Sequence, residues 1–154
     1  MFKGEVVSIH IAPDEGEPVV EVDQVRAIEG RGLEGDRYFI KSGKMSRKDD
    51  PGREVTLIEA EAVEALARDY GVELSPGESR RNIMVRGVAL NHLRGVEFQV
   101  GDAVLRGVKL CEPCGYLEGL TKEGIRAGLK HRGGLNAEIV TGGLIRPGDE
   151  VSRL

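Results

Sequence analysis

Val96-Glu-Phe-Gln-Val-Gly-Asp-Ala-Val-Leu-Arg-Gly-Val108 is the stretch that decides the fold. Two runs rich in β-branched residues flank Gly101-Asp102, and the simplest reading is a pair of strands joined by a tight turn. The C-terminus echoes it: Leu144-Ile-Arg-Pro-Gly-Asp-Glu-Val151 again places Gly-Asp just before a strand. Gly-Asp suits a tight turn by its own chemistry, so the echo reads as two similar turns rather than an internal repeat.

Upstream, residues 4–11 alternate loosely as a first strand that leaves through the turn cluster Ala-Pro-Asp-Glu-Gly-Glu-Pro. Val19 to Ile28 reads as one further strand, with Val20, Val22 and Val25 facing one way. From Glu29 to Arg53 the pattern stops. That segment is charged and holds Gly30, Gly32, Gly35, Gly43 and Gly52, and a loop of this length inside a compact domain points to function. Val55-Thr-Leu-Ile58 is a short buried strand. Glu59 to Tyr70 then spaces Val63, Leu66, Ala67 and Tyr70 as one helix face, with Gly71 placed to cap it. Arg80-Arg-Asn-Ile-Met-Val85 begins polar and becomes a strand. Leu90–Leu93 reads as a helical turn, 118–130 as a weak helix interrupted by Gly124 and Gly128, and Asn136 to Val140 as another strand. Seven or so short strands with one strong helix predict a mainly β fold, a closed β-barrel with peripheral α structure, in a single domain spanning 1–154. Strand and helix do not alternate, which disfavours a parallel α/β sheet.

Composition narrows the function classes. Apolar residues make up 40% and charged ones 31% of the 154 residues, the balance of an ordinary globular chain. A net charge of -4 excludes a general nucleic-acid binder, which needs surplus cations to displace counterions. No apolar run approaches the ~20 residues of a membrane span, and the N-terminus lacks the pattern of a secretory signal, so a cytoplasmic location without membrane attachment is expected. In that compartment the two cysteines are free thiols, a metal half-site or a redox pair rather than a staple.

Both cysteines fall in Lys109-Leu-Cys-Glu-Pro-Cys-Gly-Tyr-Leu117. Pro113 fixes the backbone before Cys114 and Gly115 leaves space after it, an arrangement suited to presenting a sulfur. Cys111, beside Leu110, reads as a small buried apolar residue. A dithiol redox protein using Cys111 and Cys114 remains an alternative, although no βαβ unit precedes the pair. Zinc is disfavoured because the chain has one C-x-x-C and His92 and His131 lack ligand spacing. Gly30-Arg-Gly-Leu-Glu-Gly35 imitates a dinucleotide loop but no apolar helix follows it. A glycine turn able to cradle an anion and a plain turn with an Asp36–Arg37 surface pair are equal readings there. Arg80-Arg81-Asn82 concentrates two guanidinium groups and an amide, a combination suited to phosphate or carboxylate. For it, and for His131-Arg132-Gly133-Gly134, the bland alternative is a solvated surface.

Taken in order, Gly32-Leu-Glu-Gly-Asp-Arg-Tyr, Arg53-x-Val-Thr-Leu-Ile, Arg80-Arg-Asn-Ile, Val100-Gly-Asp, Pro113-Cys114 and Gly148-Asp149 resemble a MOSC domain, the C-terminal module of molybdenum cofactor sulfurases. The resemblance spans nearly the whole chain. It implies a barrel of the pyruvate-kinase type and binding of a molybdenum cofactor or of persulfide sulfur. It also brings the family's association with pyridoxal phosphate. It implies one functional cysteine, Cys114, as sulfur carrier or metal ligand. An Arg-x-Asn element that contacts the cofactor in relatives carries over onto Arg80 and Asn82, with Arg37 and Arg132 as further holders of the anionic part. The expected partners are a small anionic cofactor or a sulfur donor or acceptor protein. The competing expectation is a non-catalytic barrel that docks a partner enzyme through the 29–53 loop.

Overall fold

The structure is a computed structural model and describes residues 2–14, 18–36, 39, 54–113 and 122–154. Eleven strands carry the described chain: β1 (Lys3–Ile11), β2 (Val20–Val22), β3 (Val25–Ile28), β4 (Gly32–Leu33), β5 (Val55–Glu59), β6 (Ile83–Arg86), β7 (Glu97–Val100), β8 (Ala103–Leu110), β9 (Leu135–Thr141), β10 (Gly143–Ile145) and β11 (Glu150–Arg153). Helix α1 spans Ala60–Tyr70 and the single turn α2 spans Ile125–Gly128.

Seven strands close into a barrel in the order β1-β6-β5-β9-β8-β7-β11 and back to β1. The long first strand makes closure possible. Its N-terminal half pairs with β11 along Lys3–Glu5, while its C-terminal end pairs with β2 along Ile9–Ile11. The other edge of β1 runs along β6 with a bulge between Val6 and Ser8. All barrel pairs are antiparallel except β5 with β6. That parallel pair needs a crossover, which α1 supplies. Because α1 covers its outer face, β5 is apolar on both sides: Leu57 points into the barrel while Ile58 packs outside with Val63, Leu66 and Met84. Elsewhere the strands alternate, as in β8, where Ala103, Leu105 and Gly107 are buried and the residues between them are half-buried. Phe98, Leu105, Leu57, Ile83 and Leu135 fill the centre.

The two Gly-Asp turns meet at one end of the barrel. Val100 pairs with Ala103 around the first, as the sequence predicts. The Gly101 N–H donates to the Glu150 carbonyl and the Asp102 N–H to that of Leu144. Gly101 has φ 57, and a Cβ there would run into the Asp149 carboxylate. The left-handed conformation and the lack of a side chain are therefore both used.

Several expectations change. Val19–Ile28 is not one strand: β2 extends the barrel sheet from β1, whereas β3 joins a separate sheet ordered β10-β3-β4. A two-residue break at Asp23-Gln24 lets the chain switch sheets, and loose alternation could not reveal it. Gly71 caps α1 at φ 68, with its N–H on the Ala67 carbonyl, as expected. Tyr70, however, is 57% exposed, and the buried face is made by Ala60, Ala62, Val63, Ala65 and Leu66. The tyrosine ring lies over Gly128 of α2 with its other side in solvent. Of the weak helix expected over 118–130, the described part is the one turn Ile125–Gly128.

Candidate functional site

The start of β6, the start of β5, the end of β8, the start of β9 and the end of β1 all reach one rim of the barrel. The register shows this directly, since Leu57 pairs with both Ile83 and Leu135, and Leu135 with Leu110. Arg80, Arg81, Asn82, Thr56, Cys111 and Gly133 consequently share that rim.

Asn82 is its joint. The side chain is buried, and its Oδ1 accepts from the Thr56 N–H at 3.0 Å and the Thr56 hydroxyl at 3.1 Å. Its Nδ2 donates to the His10 carbonyl at 3.1 Å and to Asp36 Oδ1 at 3.2 Å. The Asn82 N–H in turn donates to Thr56 Oγ1. A primary amide offers about four hydrogen-bonding positions, so this one is fully engaged inside the protein. Asn82, expected from the resemblance to contact a cofactor, ties β1, β5, β6 and the segment after β4 together.

Asp36 is not half of a surface pair, as one reading of the glycine segment held. It is 1% exposed and accepts from the Ala12 N–H at 2.9 Å as well as from Asn82. Glycines at 32 and 35, both at positive φ, turn the chain so that this carboxylate enters the interior. Close by, the buried His10 ring approaches Ser8 Oγ through Nε2 at 2.8 Å. Burial lowers the His10 pKa below the ordinary histidine value, with the Glu21 charge opposing.

Arg81 organises the cysteine segment. Its Nε donates to the Gly133 carbonyl at 2.7 Å and its Nη2 to the Cys111 carbonyl at 3.3 Å. The Cys111 N–H donates to the Gly134 carbonyl at 2.8 Å. The close approach needs glycine: a Cβ on Gly133 would collide with the Cys111 carbonyl and come within 2.8 Å of Pro113 Cδ. Cys111 is half-buried rather than sealed in the core, a departure from its reading as a small interior residue. No carboxylate among the described residues pairs with Arg81, whose guanidinium bonds backbone carbonyls only among them. A half-buried guanidinium in that situation keeps its charge available to an anion.

Arg80 stands beside it at φ 60, closing a 3-10 turn over Pro76–Ser79 through its N–H on the Gly77 carbonyl. Arg132 is exposed, and its charge acts on Glu59 and Asp69 on the α1 side of the molecule. Burial raises the Glu59 pKa, against the bond from the Leu90 N–H and the nearby Arg132 charge. Cys114 and Arg37 lie outside the described residues, as do 37, 38 and 40–53 of the expected docking loop. Among the described residues no group of His, Cys, Asp and Glu side chains has the arrangement of a metal site. No described helix is long and apolar enough to cross a membrane.

The sequence pointed to the Arg80-Arg81 doublet but not to which guanidinium would hold the loop. Asp36 also escaped notice as a contributor, and so did Glu112, which accepts from the His131 N–H at 2.8 Å. Glu112 gave a signal as a charged group in a tight loop between the cysteines, whereas Asp36 gave none.

Solved structures share the fold. The YuaD protein from Bacillus subtilis superposes with a TM-score of 0.76 at 18% identity, over 98% of this chain and 97% of that one. YiiM from Geobacillus stearothermophilus gives 0.73 at 14% identity, over 98% and 75% of the two chains. YiiM from Escherichia coli gives 0.66 at 18% identity, over 100% and 70%. No curated protein matches the sequence. The MOSC domain family matches residues 44–152, most of the chain and most of the barrel just described, and the chain belongs to that family.

Proposed function

We propose that this protein uses Cys114, next in sequence after the Cys111–Pro113 segment that Arg81 anchors, to carry sulfur as a persulfide or to ligate molybdenum. The family is associated with molybdenum cofactor binding and sulfur chemistry. The observation that carries the reading is the Arg81 guanidinium, which anchors the Cys111–Pro113 backbone while no described carboxylate takes its charge. A rim with this uncompensated cation, and with Arg80 beside it, fits the phosphate of an anionic cofactor. A soft thiolate is the donor such a metal or a sulfane sulfur requires.

In this reading Arg81 and Arg80 bind and orient the anion. Asn82 and Asp36 act one step back, holding the start of β6 so that the guanidinium groups stay on the rim. Gly133 and Gly134 admit the cysteine segment against β9. A molybdenum cofactor, when bound, supplies oxygen-atom and electron transfer that no side chain here can perform.

Mass spectrometry and elemental analysis of the purified full chain test the proposal. The expected result is added sulfur on Cys114, or molybdenum at near-stoichiometric level, and its loss in Cys114→Ser. Unchanged loading in that variant rejects the assignment.

A further inference from the structure

Among the described residues, two that are not glycine take the left-handed conformation, Arg80 at φ 60 and His131 at φ 63. A residue with a side chain keeps that conformation only where its surroundings hold it, and such residues gather at working sites. Here one stands next to Arg81 and the other two positions before Gly133, so they flank the bond from Arg81 Nε to the Gly133 carbonyl. Arg80 is held by the 3-10 turn that it closes. His131 is held from outside its own segment. Its N–H donates to Glu112 Oε1 at 2.8 Å, and its carbonyl accepts from Asn91 Nδ2 at 2.8 Å.

Of these two holders, Asn91 has the firm base. It belongs to a 3-10 turn, Leu90–Leu93, whose two leucines are buried in the barrel core. The Leu90 N–H donates to Glu59 Oε2 at 3.2 Å, and Leu93 lies so close to β8 that a Cβ on Gly107 would collide with the Leu93 carbonyl. The turn is thereby fixed to both β5 and β8, and its one exposed amide reaches a residue forty positions away. Beyond His131 the chain makes two bonds to the rim: the Gly133 carbonyl accepts from Arg81, and the Gly134 carbonyl accepts from the Cys111 N–H. A change of φ at residue 131 reorients the peptide groups that follow it, which would carry both carbonyls away from their donors.

We propose that Asn91 is a positioning residue for the cysteine segment. By holding the His131 carbonyl it keeps the left-handed turn that presents Gly133 to Arg81 and Gly134 to Cys111, and so fixes Cys111–Pro113, the residues that lead into Cys114. The proposal deepens, and for its effect on loading rests on, the reading of Cys114 as the functional sulfur. The contacts from Asn91 and from Glu112 Oε1 both meet the backbone of residue 131. Glycine at that position would keep them and would adopt the conformation without its steric cost. Relief of that cost should therefore compensate for loss of the Asn91 amide, which it could not do if Asn91 served only the packing of its own turn.

Amide hydrogen exchange of the ¹⁵N-labelled full chain, read by NMR beside sulfur and molybdenum loading, tests this. In the parent protein an intense NOE between the His131 N–H and its own Hα marks the left-handed conformation. Asn91→Ala should speed exchange of the Cys111 N–H about three- to tenfold, the worth of one hydrogen bond, while the core amides of β7 and β8 stay as they were. Asn91→Asp keeps the shape but lacks the donor, and should match Asn91→Ala. Adding His131→Gly to Asn91→Ala should return Cys111 exchange to within about twofold of the parent. Loading should fall several-fold in the two single variants and recover in the double one. A weak NOE in the parent, unchanged Cys111 exchange in Asn91→Ala, protection lost equally across the barrel, or no rescue by His131→Gly overturns the proposal. So does loading that depends on Cys114 yet ignores all three variants. Exchange and rescue as expected, with loading unchanged in Cys114→Ser, keep Asn91 as the residue that positions the segment and remove only the Cys114 assignment.

Discussion

Replacing Asn82 by Asp is the most informative perturbation of the rim, because it changes one atom of a buried amide and nothing in its volume. The Oδ1 bonds to Thr56 survive. Both Nδ2 donations are lost, leaving the His10 carbonyl without that donor and setting a second carboxylate 3.2 Å from Asp36 Oδ1. Two unit charges at that separation repel by roughly 5 kcal/mol at an effective dielectric constant of ~20. The buried pair will therefore take up a proton well above the usual carboxylate range. A folded-state pKa raised above the unfolded one means stability falls as pH rises through the raised value. We expect Asn82→Asp to cost about 3–5 kcal/mol at pH 8 and about 1–2 kcal/mol at pH 5, where the shared proton restores a donor. Asn82→Ala should cost about 2–4 kcal/mol at both pH values, since it orphans the partners without adding charge. Urea unfolding at the two pH values measures both variants, with the m-value checked for constancy. A penalty for Asn82→Asp that does not change with pH would refute the account of Asn82 as a buried joint beside the Asp36 carboxyl group.

Two further outcomes follow from the same geometry. Arg81→Lys keeps the charge but cannot reach the Gly133 and Cys111 carbonyls with a planar fork, so it should lower cofactor or sulfur loading several-fold and speed alkylation of Cys111; unchanged loading and alkylation would exclude Arg81 as the organiser of the segment. His10, held below the ordinary value by burial, stays neutral in the folded state while the unfolded chain takes up a proton below about pH 6.5. The protein should consequently lose stability between pH 7 and pH 5, and His10→Gln should remove that part of the slope, which urea titrations at several pH values will read.

Local chemistry was readable wherever a residue acts through its own neighbours in the chain. Gly101-Asp102 makes a two-residue hairpin turn because glycine takes the left-handed conformation the turn needs, and Gly71 ends α1 by the same freedom. The barrel itself followed from many short strands and one amphipathic helix. Membership of the family was legible in an ordered set of short motifs, each weak by itself.

The tertiary structure decided what distance along the chain conceals. Whether Val20 and Val25 share a strand depended on which sheet each could pair with, and alternation carries no label for the partner. Tyr70 has the right spacing for the helix face, but α2 offers it only the surface of Gly128. Asp36 reads as one more charged residue in a glycine loop; it becomes a buried acceptor because closure of the barrel brings Ala12 and Asn82 to it. The division of labour in Arg80-Arg81-Asn82 could not be read from three adjacent letters. It is set by carbonyls fifty-two and thirty positions away, Gly133 and Cys111, which only the folded register places within reach of Arg81.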